Sequence, residues 1–275
     1  MPELPEVETI RRDLAPELEG RRIVAVRVHE PDIVLPPDDA RSFGEAVSGR
    51  RIEAVERRAK DLVLRLSGSQ VVQVQLRMSG RFHLGSSPPD PAEFRHVAAE
   101  FELDDGRTLH YDDVRRLGGF RRLEAAAWDA ASAGLGPEPL QPGFRARDLA
   151  GILERTRAPV KNVLMNQARI AGIGNIYASE ALHRAGVHPV RPARELSVAE
   201  VARLHRAVRA VLREALADAG TTLRDYRAVD GRPGSFQSRL QVYGREGEPC
   251  RRCGAPIARL VQAGRSTYLC PSCQA

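Results

Sequence analysis

The chain has 275 residues, of which 42% are hydrophobic and 28% charged, and a formal net charge of +6. That balance suits one or two globular domains and excludes a disordered chain. No stretch approaches the roughly 20 apolar residues of a membrane span, and the N-terminus has acids where a secretory signal needs bases and an apolar run, so a cytoplasmic setting with no membrane partner is expected. In chain order, residues 5–19 place Val7, Ile10, Leu14 and Leu18 at helical spacing, which predicts an amphipathic helix closed by Gly20. From 21 to 124 short β-rich runs follow one another (RRIVAVRVHE, DLVLRLS, QVVQVQLRM and others), with Gly, Pro, Ser or Asp in several gaps, as in a β-sandwich or barrel. Residues 132–144, SAGLGPEPLQPGF, interrupt both periods and read as a linker. Helical segments come next: ARDLAGILERT, PVKNVLMNQ, NIYASEALHRAG, and a long helix over 197–219 with Ser197 and Glu200 as its capping box. Residues 224–237 have no period and two turn signals, predicting an exposed loop, and two β-rich runs flank the cysteines that follow.

Five features bear on chemistry. All four cysteines, Cys250, Cys253, Cys270 and Cys273, lie in the last 26 residues as C-x₂-C-x₁₆-C-x₂-C. That spacing favours one closed, structural zinc site over two disulfides or free thiols. At the other end, Pro2 follows the initiator methionine. If Met1 is removed, the proline amine becomes a nucleophile beside Glu3 and Glu6; an ordinary helix start would use the same residue types. In AGIGNIYASE, 171–180, Gly172 and Gly174 permit a tight turn before Asn175, either to hold a phosphate at a helix N-terminus or simply to join two helices. The turns LRMSGRF and DDVRRLGGF present Met78 and Arg115, as a binding device or as ordinary core and surface residues. Arginine is used 40 times and lysine twice, so Lys60 and Lys161 are positions where a compact charge or a group able to lose its proton replaced an available guanidinium.

With PELPEVET, RRAKDLVLRL, MSG, DDVRRLG, LGPEP, AGIGNIYASEAL, DGRPGSFQ and the four-cysteine finger in this order from residue 2 to 273, the chain resembles the formamidopyrimidine-DNA glycosylase family. The resemblance implies an α+β protein: an N-terminal catalytic β-sandwich with a leading helix (1–131), a linker (132–144), a helix–two-turns–helix DNA-binding domain (145–240) and a zinc finger (241–275). It implies a base-excision repair enzyme that acts as a monomer on damaged double-stranded DNA, with one structural Zn²⁺ and no nucleotide cofactor, associated with the bacterial nucleoid. Such enzymes remove oxidised purines, chiefly 8-oxoguanine and formamidopyrimidines, and cut the abasic site by β,δ-elimination. By the resemblance Pro2 is the nucleophile at the sugar C1′, Glu3 the acid that opens the sugar, and Lys60 and Arg265 further catalytic residues at the flanking phosphates. Glu6 and Lys161 support catalysis. His96, Asn175 and Tyr177 join the DNA-binding residues, and Met78, Arg115 and Leu117 form the wedge that fills the hole left by the extruded nucleotide. Leu117 stands where the family has phenylalanine, with Phe120 as a substitute three residues on, and Gln75 stands where a histidine is expected. Residues 224–237 correspond to a lid over the extruded base. The rivals are an endonuclease VIII-like enzyme for oxidised pyrimidines, which PELPE and MSG disfavour, and a non-catalytic zinc-finger DNA-binding protein.

Overall fold

Helix α1 spans Leu4–Leu18 in the computed structural model, which describes residues 1–274. Pro5 stands in its first turn, where a missing N–H leaves nothing unpaired, and the Glu3 N–H donates to Glu6 Oε2 at 2.7 Å, closing the helix start. Val7, Ile10, Leu14 and Leu18 are all buried, so the apolar stripe read from the sequence is the face that packs.

After α1 come β1 (Ile23–Val28), α2 (Ala40–Val47), β2 (Ile52–Arg58), β3 (Asp61–Leu66), β4 (Gln70–Gln75), β5 (Arg81–Gly85), β6 (Val97–Leu103), β7 (Thr108–Asp112), β8 (Gly119–Glu124) and α3 (Ala125–Ala133). The strands form two four-stranded antiparallel sheets, ordered β1-β6-β7-β5 and β2-β3-β4-β8, so the choice between sandwich and barrel resolves to a sandwich. Phe43, Phe82, Phe101, Tyr111 and Phe120 interlock in its core, Tyr111 and Phe120 edge-on with centroids 4.8 Å apart. The second sheet is covered on both faces. Leu62 and Leu64 point into the sandwich, while Val63 and Val71 pack on Trp128 of α3, which is why these strands read as nearly continuous apolar runs.

The remaining elements are α4 (Ala146–Glu154), α5 (Val160–Met165), α6 (Asn175–Ala185), α7 (Val198–Ala217) and the hairpin β9 (Ala258–Gln262)–β10 (Arg265–Leu269). The expected capping box opens α7: the Ser197 N–H donates to Glu200 Oε2 at 2.8 Å, and the Glu200 N–H to Ser197 Oγ at 3.4 Å. The hairpin turns through Ala263 and Gly264, both with positive φ, as the twist of a two-residue turn requires.

Two compact units result: Met1–Ala133 with Asp218–Ser235, and Gly134–Ala217 with the residues from Phe236 on. Three features differ from the sequence reading. The β-rich runs at the C-terminus lie between the two cysteine pairs rather than outside them. Most of the expected linker is packed structure: the Gly136 N–H donates to Gln167 O at 2.8 Å and the Ala171 N–H to Pro137 O at 3.0 Å. Residues 218–235, assigned from sequence to the helical domain, pack in the first unit.

Candidate functional site

The candidate residues fall into two groups, one in each unit. In the first unit Pro2 is buried, and Glu3 and Glu6 are each only 2% exposed. Glu6 is the organiser. Its Oε2 accepts the Glu3 N–H, and its Oε1 accepts the Thr221 N–H at 2.8 Å. One buried carboxylate therefore ties the start of α1 to the root of the 218–235 segment. Gly220 makes this approach possible: its φ is +84°, and a Cβ there would lie 2.8 Å from Glu6 Oε1. The Tyr226 hydroxyl adds a bond to Ala219 O at 3.0 Å, and burial followed by the Glu6 charge raises its pKa, so it remains a donor. Lys60, half-buried, occupies the two-residue turn between β2 and β3, beside Ala59 in the left-handed region at φ +56°. A non-glycine residue held there costs backbone energy.

Met78, Arg115 and Leu117 project from two turns of the same unit, with Met78 43% and Leu117 54% exposed. Arg115 Nη1 lies 3.7 Å from Met78 Sδ, and Arg115 Nη2 pairs with Asp225 at 3.2 Å. Arg77 and Arg116, next to these residues in sequence, are both left-handed, with φ of +52° and +49°. Phe120 is fully buried in the aromatic core and presents nothing to a ligand, so it is no substitute for Leu117. Gln75 accepts from Arg77 Nη2 at 2.7 Å. Exposed His96 borders a cavity of about 280 Å³ with Arg81, Arg95, Arg224 and Arg227, and its N–H is fixed by Asp112 Oδ1 at 2.7 Å.

Sequence reasoning missed Asp113, which is fully buried between the two turns. Its Oδ1 accepts the Ser79 hydroxyl at 2.5 Å and the Arg115 N–H at 3.3 Å; its Oδ2 accepts the Gly118 N–H at 2.8 Å and the Tyr111 hydroxyl at 3.3 Å. The available signal was an Asp followed two residues later by a bonded N–H, the pattern of an Asx turn.

In the second unit Lys161 is fully buried. Its Nζ donates to Asn175 Oδ1 and Thr267 Oγ1, both at 2.6 Å, with Ser266 O at 3.4 Å. Asn175 Nδ2 donates to Ser266 O at 2.9 Å. The first residue of α6 is thus bonded to the strand that begins with exposed Arg265. Tyr177 differs from the expectation: it is 1% exposed and its ring packs on Phe236, centroids 5.9 Å apart, so the ring has no surface to offer DNA.

The four cysteine Sγ atoms lie within 4.8 Å of one another, with Cys250–Cys273 at 4.0 Å and Cys253–Cys270 at 3.4 Å. Four thiolates around one zinc at about 2.3 Å are separated by about 3.8 Å, so the donor set and its spacing fit one tetrahedral zinc and leave no open position. The bonds around the site hold the finger to α6. Glu180, whose carboxyl burial pushes upward, accepts N–H groups from Gln241, Val242 and Tyr243 at 2.8–3.0 Å. His183 Nε2 lies 3.5 Å from Cys250 Sγ, and Gln274 Nε2 donates to Val187 O at 2.9 Å.

Three comparisons bear on these groups. The formamidopyrimidine-DNA glycosylase N-terminal domain matches residues 1–120, the H2TH domain of the same family residues 135–226, and the zinc finger found in FPG and IleRS residues 247–275. The chain is 47% identical to the formamidopyrimidine-DNA glycosylase of Chloroflexus aggregans, covering 100% of this chain and 98% of the relative, and 44% identical to that of Herpetosiphon aurantiacus, covering 100% of both. Its fold is similar to the MutM (Fpg) protein of Thermus thermophilus, with a TM-score of 0.87 and 42% identity over 99% of this chain and 98% of that one. It is also similar to a Lactococcus lactis Fpg mutant in complex with Fapy-dG-containing DNA, with a TM-score of 0.89 and 32% identity over 99% of both chains.

Proposed function

The chain belongs to the formamidopyrimidine-DNA glycosylase family, and from that premise we propose that it removes oxidised purines from duplex DNA and then nicks the resulting abasic site. It acts as a monomer on the bacterial chromosome, without a nucleotide cofactor. The observation that carries the reading is the start of α1, where Pro2 adjoins two buried carboxylates and Glu6 fixes the Glu3 backbone at 2.7 Å. With Met1 removed, the secondary amine of Pro2 attacks C1′ of the extruded nucleotide and the bond to the base breaks. Glu3 gives a proton to the opening sugar ring, and an iminium joins Pro2 to C1′. Loss of a C2′ proton expels the 3′-phosphate, loss of a C4′ proton then expels the 5′-phosphate, and water hydrolyses the iminium to free Pro2. Lys60, Asn175 and Arg265 hold the flanking phosphates, while Met78, Arg115 and Leu117 occupy the vacated space in the stack. His96 and the arginines around its cavity add backbone contacts. The zinc, when bound, supplies a fixed framework for the finger and takes no part in the eliminations.

The three candidate amines differ in readiness. An α-amino group has a pKa of about 7.7–8.0 and lysine about 10.4, so near neutral pH roughly a tenth of the terminal amine is neutral, against well under one part in a thousand of lysine. Borohydride reduction of the enzyme mixed with 8-oxoguanine DNA is expected to trap a covalent complex, and peptide mapping to place it on Pro2. An adduct on Lys60 or Lys161, or full lyase activity from protein that retains Met1, contradicts the mechanism. Thymine glycol excised in preference to 8-oxoguanine contradicts the substrate assignment.

A further inference from the structure

We infer that Asp113 is the positioning residue of the wedge: a single buried carboxylate locks the Met78 turn to the Arg115–Leu117 turn, so that the three side chains enter the DNA as one rigid tool. The inference rests on the reading of Met78, Arg115 and Leu117 as the wedge and assigns the group that aims them.

The two turns are remote in sequence, and among the described residues the Ser79–Asp113 hydrogen bond, at 2.5 Å, joins a side chain of the first turn directly to one of the second. From the same carboxylate, bonds to the Arg115 and Gly118 N–H groups fix the second turn on both sides of Leu117. Each oxygen of this carboxyl accepts two hydrogen bonds, from Ser79 and Arg115 at one and from Gly118 and Tyr111 at the other. The hydroxyl of Tyr111 is itself enclosed by the two turns: a Cβ on Gly80 would lie 2.4 Å from it, and one on Gly118 2.1 Å. Neither turn can move independently without breaking a bond to a fully buried polar group, which is costlier than losing an ordinary surface hydrogen bond.

Function needs this rigidity. A wedge gains only if its side chains are already in place when the base leaves, because flexible side chains would be ordered at the expense of binding. Met78, Arg115 and Leu117 are long or exposed side chains on short turns, and the left-handed backbones of Arg77 and Arg116 are held against their own preference. Asp113 supplies the restraint while itself fully buried.

The test compares excision from duplex with cleavage of an abasic site in single-stranded DNA, where there is little stacking to break. Ser79→Ala removes the Ser79–Asp113 link between the turns and leaves the Arg115–Met78 contact, and Asp113→Asn puts a donor against either the Arg115 or the Gly118 N–H. Both are expected to lower kcat/KM for 8-oxoguanine in duplex by about tenfold or more, as for loss of a hydrogen bond to a charged group. Discrimination between bases opposite the lesion should blur, and single-strand cleavage should stay at the wild-type rate. Leu117→Ala is the control for the wedge itself. If Leu117→Ala shows the duplex-specific loss and Ser79→Ala does not, the positioning role is wrong and the wedge stands. If Leu117→Ala shows no duplex-specific loss, the wedge reading has failed. Equal losses of Ser79→Ala on both substrates also overturn the inference, and this variant decides the matter alone if Asp113→Asn does not fold.

Discussion

Lys161 turns its ammonium toward Asn175 Oδ1 and Thr267 Oγ1 at 2.6 Å, deep enough that solvent does not reach it. Its scarcity as a residue type marked the position in the sequence. Its partners did not, since Thr267 is 106 residues away in the chain. A buried ammonium so placed fixes which face of the Asn175 amide is turned inward, which suits a scaffold for phosphate contacts better than a reagent. Lys161→Met keeps the apolar stem and leaves the Asn175 and Thr267 acceptors without that donor, at a cost of about 1–3 kcal/mol. Calorimetry should show the lost stability and titration a weaker grip on DNA, while the borohydride adduct still maps to Pro2. Unchanged stability and affinity in Lys161→Met would remove Lys161 from the scaffold. Tyr177 and Phe120 show the opposite limit of sequence reading: an aromatic near a motif reads equally as a contact or as core, and both are core.

Elements with their own punctuation were legible, and those without were not. The α1 stripe and the α7 cap follow from spacing and from Ser197 and Glu200. Helix α3, AAAWDAASA, has almost no polar face to create a period, and only the helix preference of alanine marks it. Helix α2 is eight residues long, and its signal, Asp39 accepting the Ser42 N–H at 2.7 Å, is no longer than a turn. The α7 cap carries a pH prediction. Hydrogen bonds from Arg191, then from the Ser197 N–H, hold the Glu200 carboxyl at about 2 against an ordinary 4.5. A carboxyl lowered on folding stabilises the folded chain above its unfolded value, and that contribution is lost as pH falls from 4.5 through 2. Glu200→Gln keeps an acceptor for the cap and loses the charge. The difference in Tm between the two proteins should therefore be full above pH 5 and close as the pH approaches 2; a difference that does not depend on pH would mean the ion pair contributes nothing. Here and throughout, side-chain pairing explains what periodicity cannot.

At the scale of the whole molecule, the early sequence change at residue 21 and the late cluster of cysteines were legible, and the return of 218–235 to the first unit was not, because it depends on Glu6 receiving the Thr221 N–H 215 residues away. The two units are unequal in what holds them. The first has a large apolar core with five interlocked aromatic rings. The finger's own core is Val242, Cys250, Ile257 and Cys270, too small to order a hairpin without metal. Cys250→Ala should therefore leave the near-ultraviolet dichroism of the aromatic core intact and release the hairpin that carries Arg265. The loss can be read as charge. Each phosphate neutralised contributes about −0.9 to the slope of log affinity against log salt concentration. Wild-type protein, with a net charge of +6 and nearly all its basic residues arginine, should bind damaged duplex with a steep slope. Cys250→Ala should bind more weakly and with a slope shallower by about one unit or more, since a freed Arg265 no longer holds its phosphate. Weaker binding at an unchanged slope would mean the finger acts through shape rather than phosphate contact, and an unchanged affinity would mean the zinc site does not position Arg265 at all.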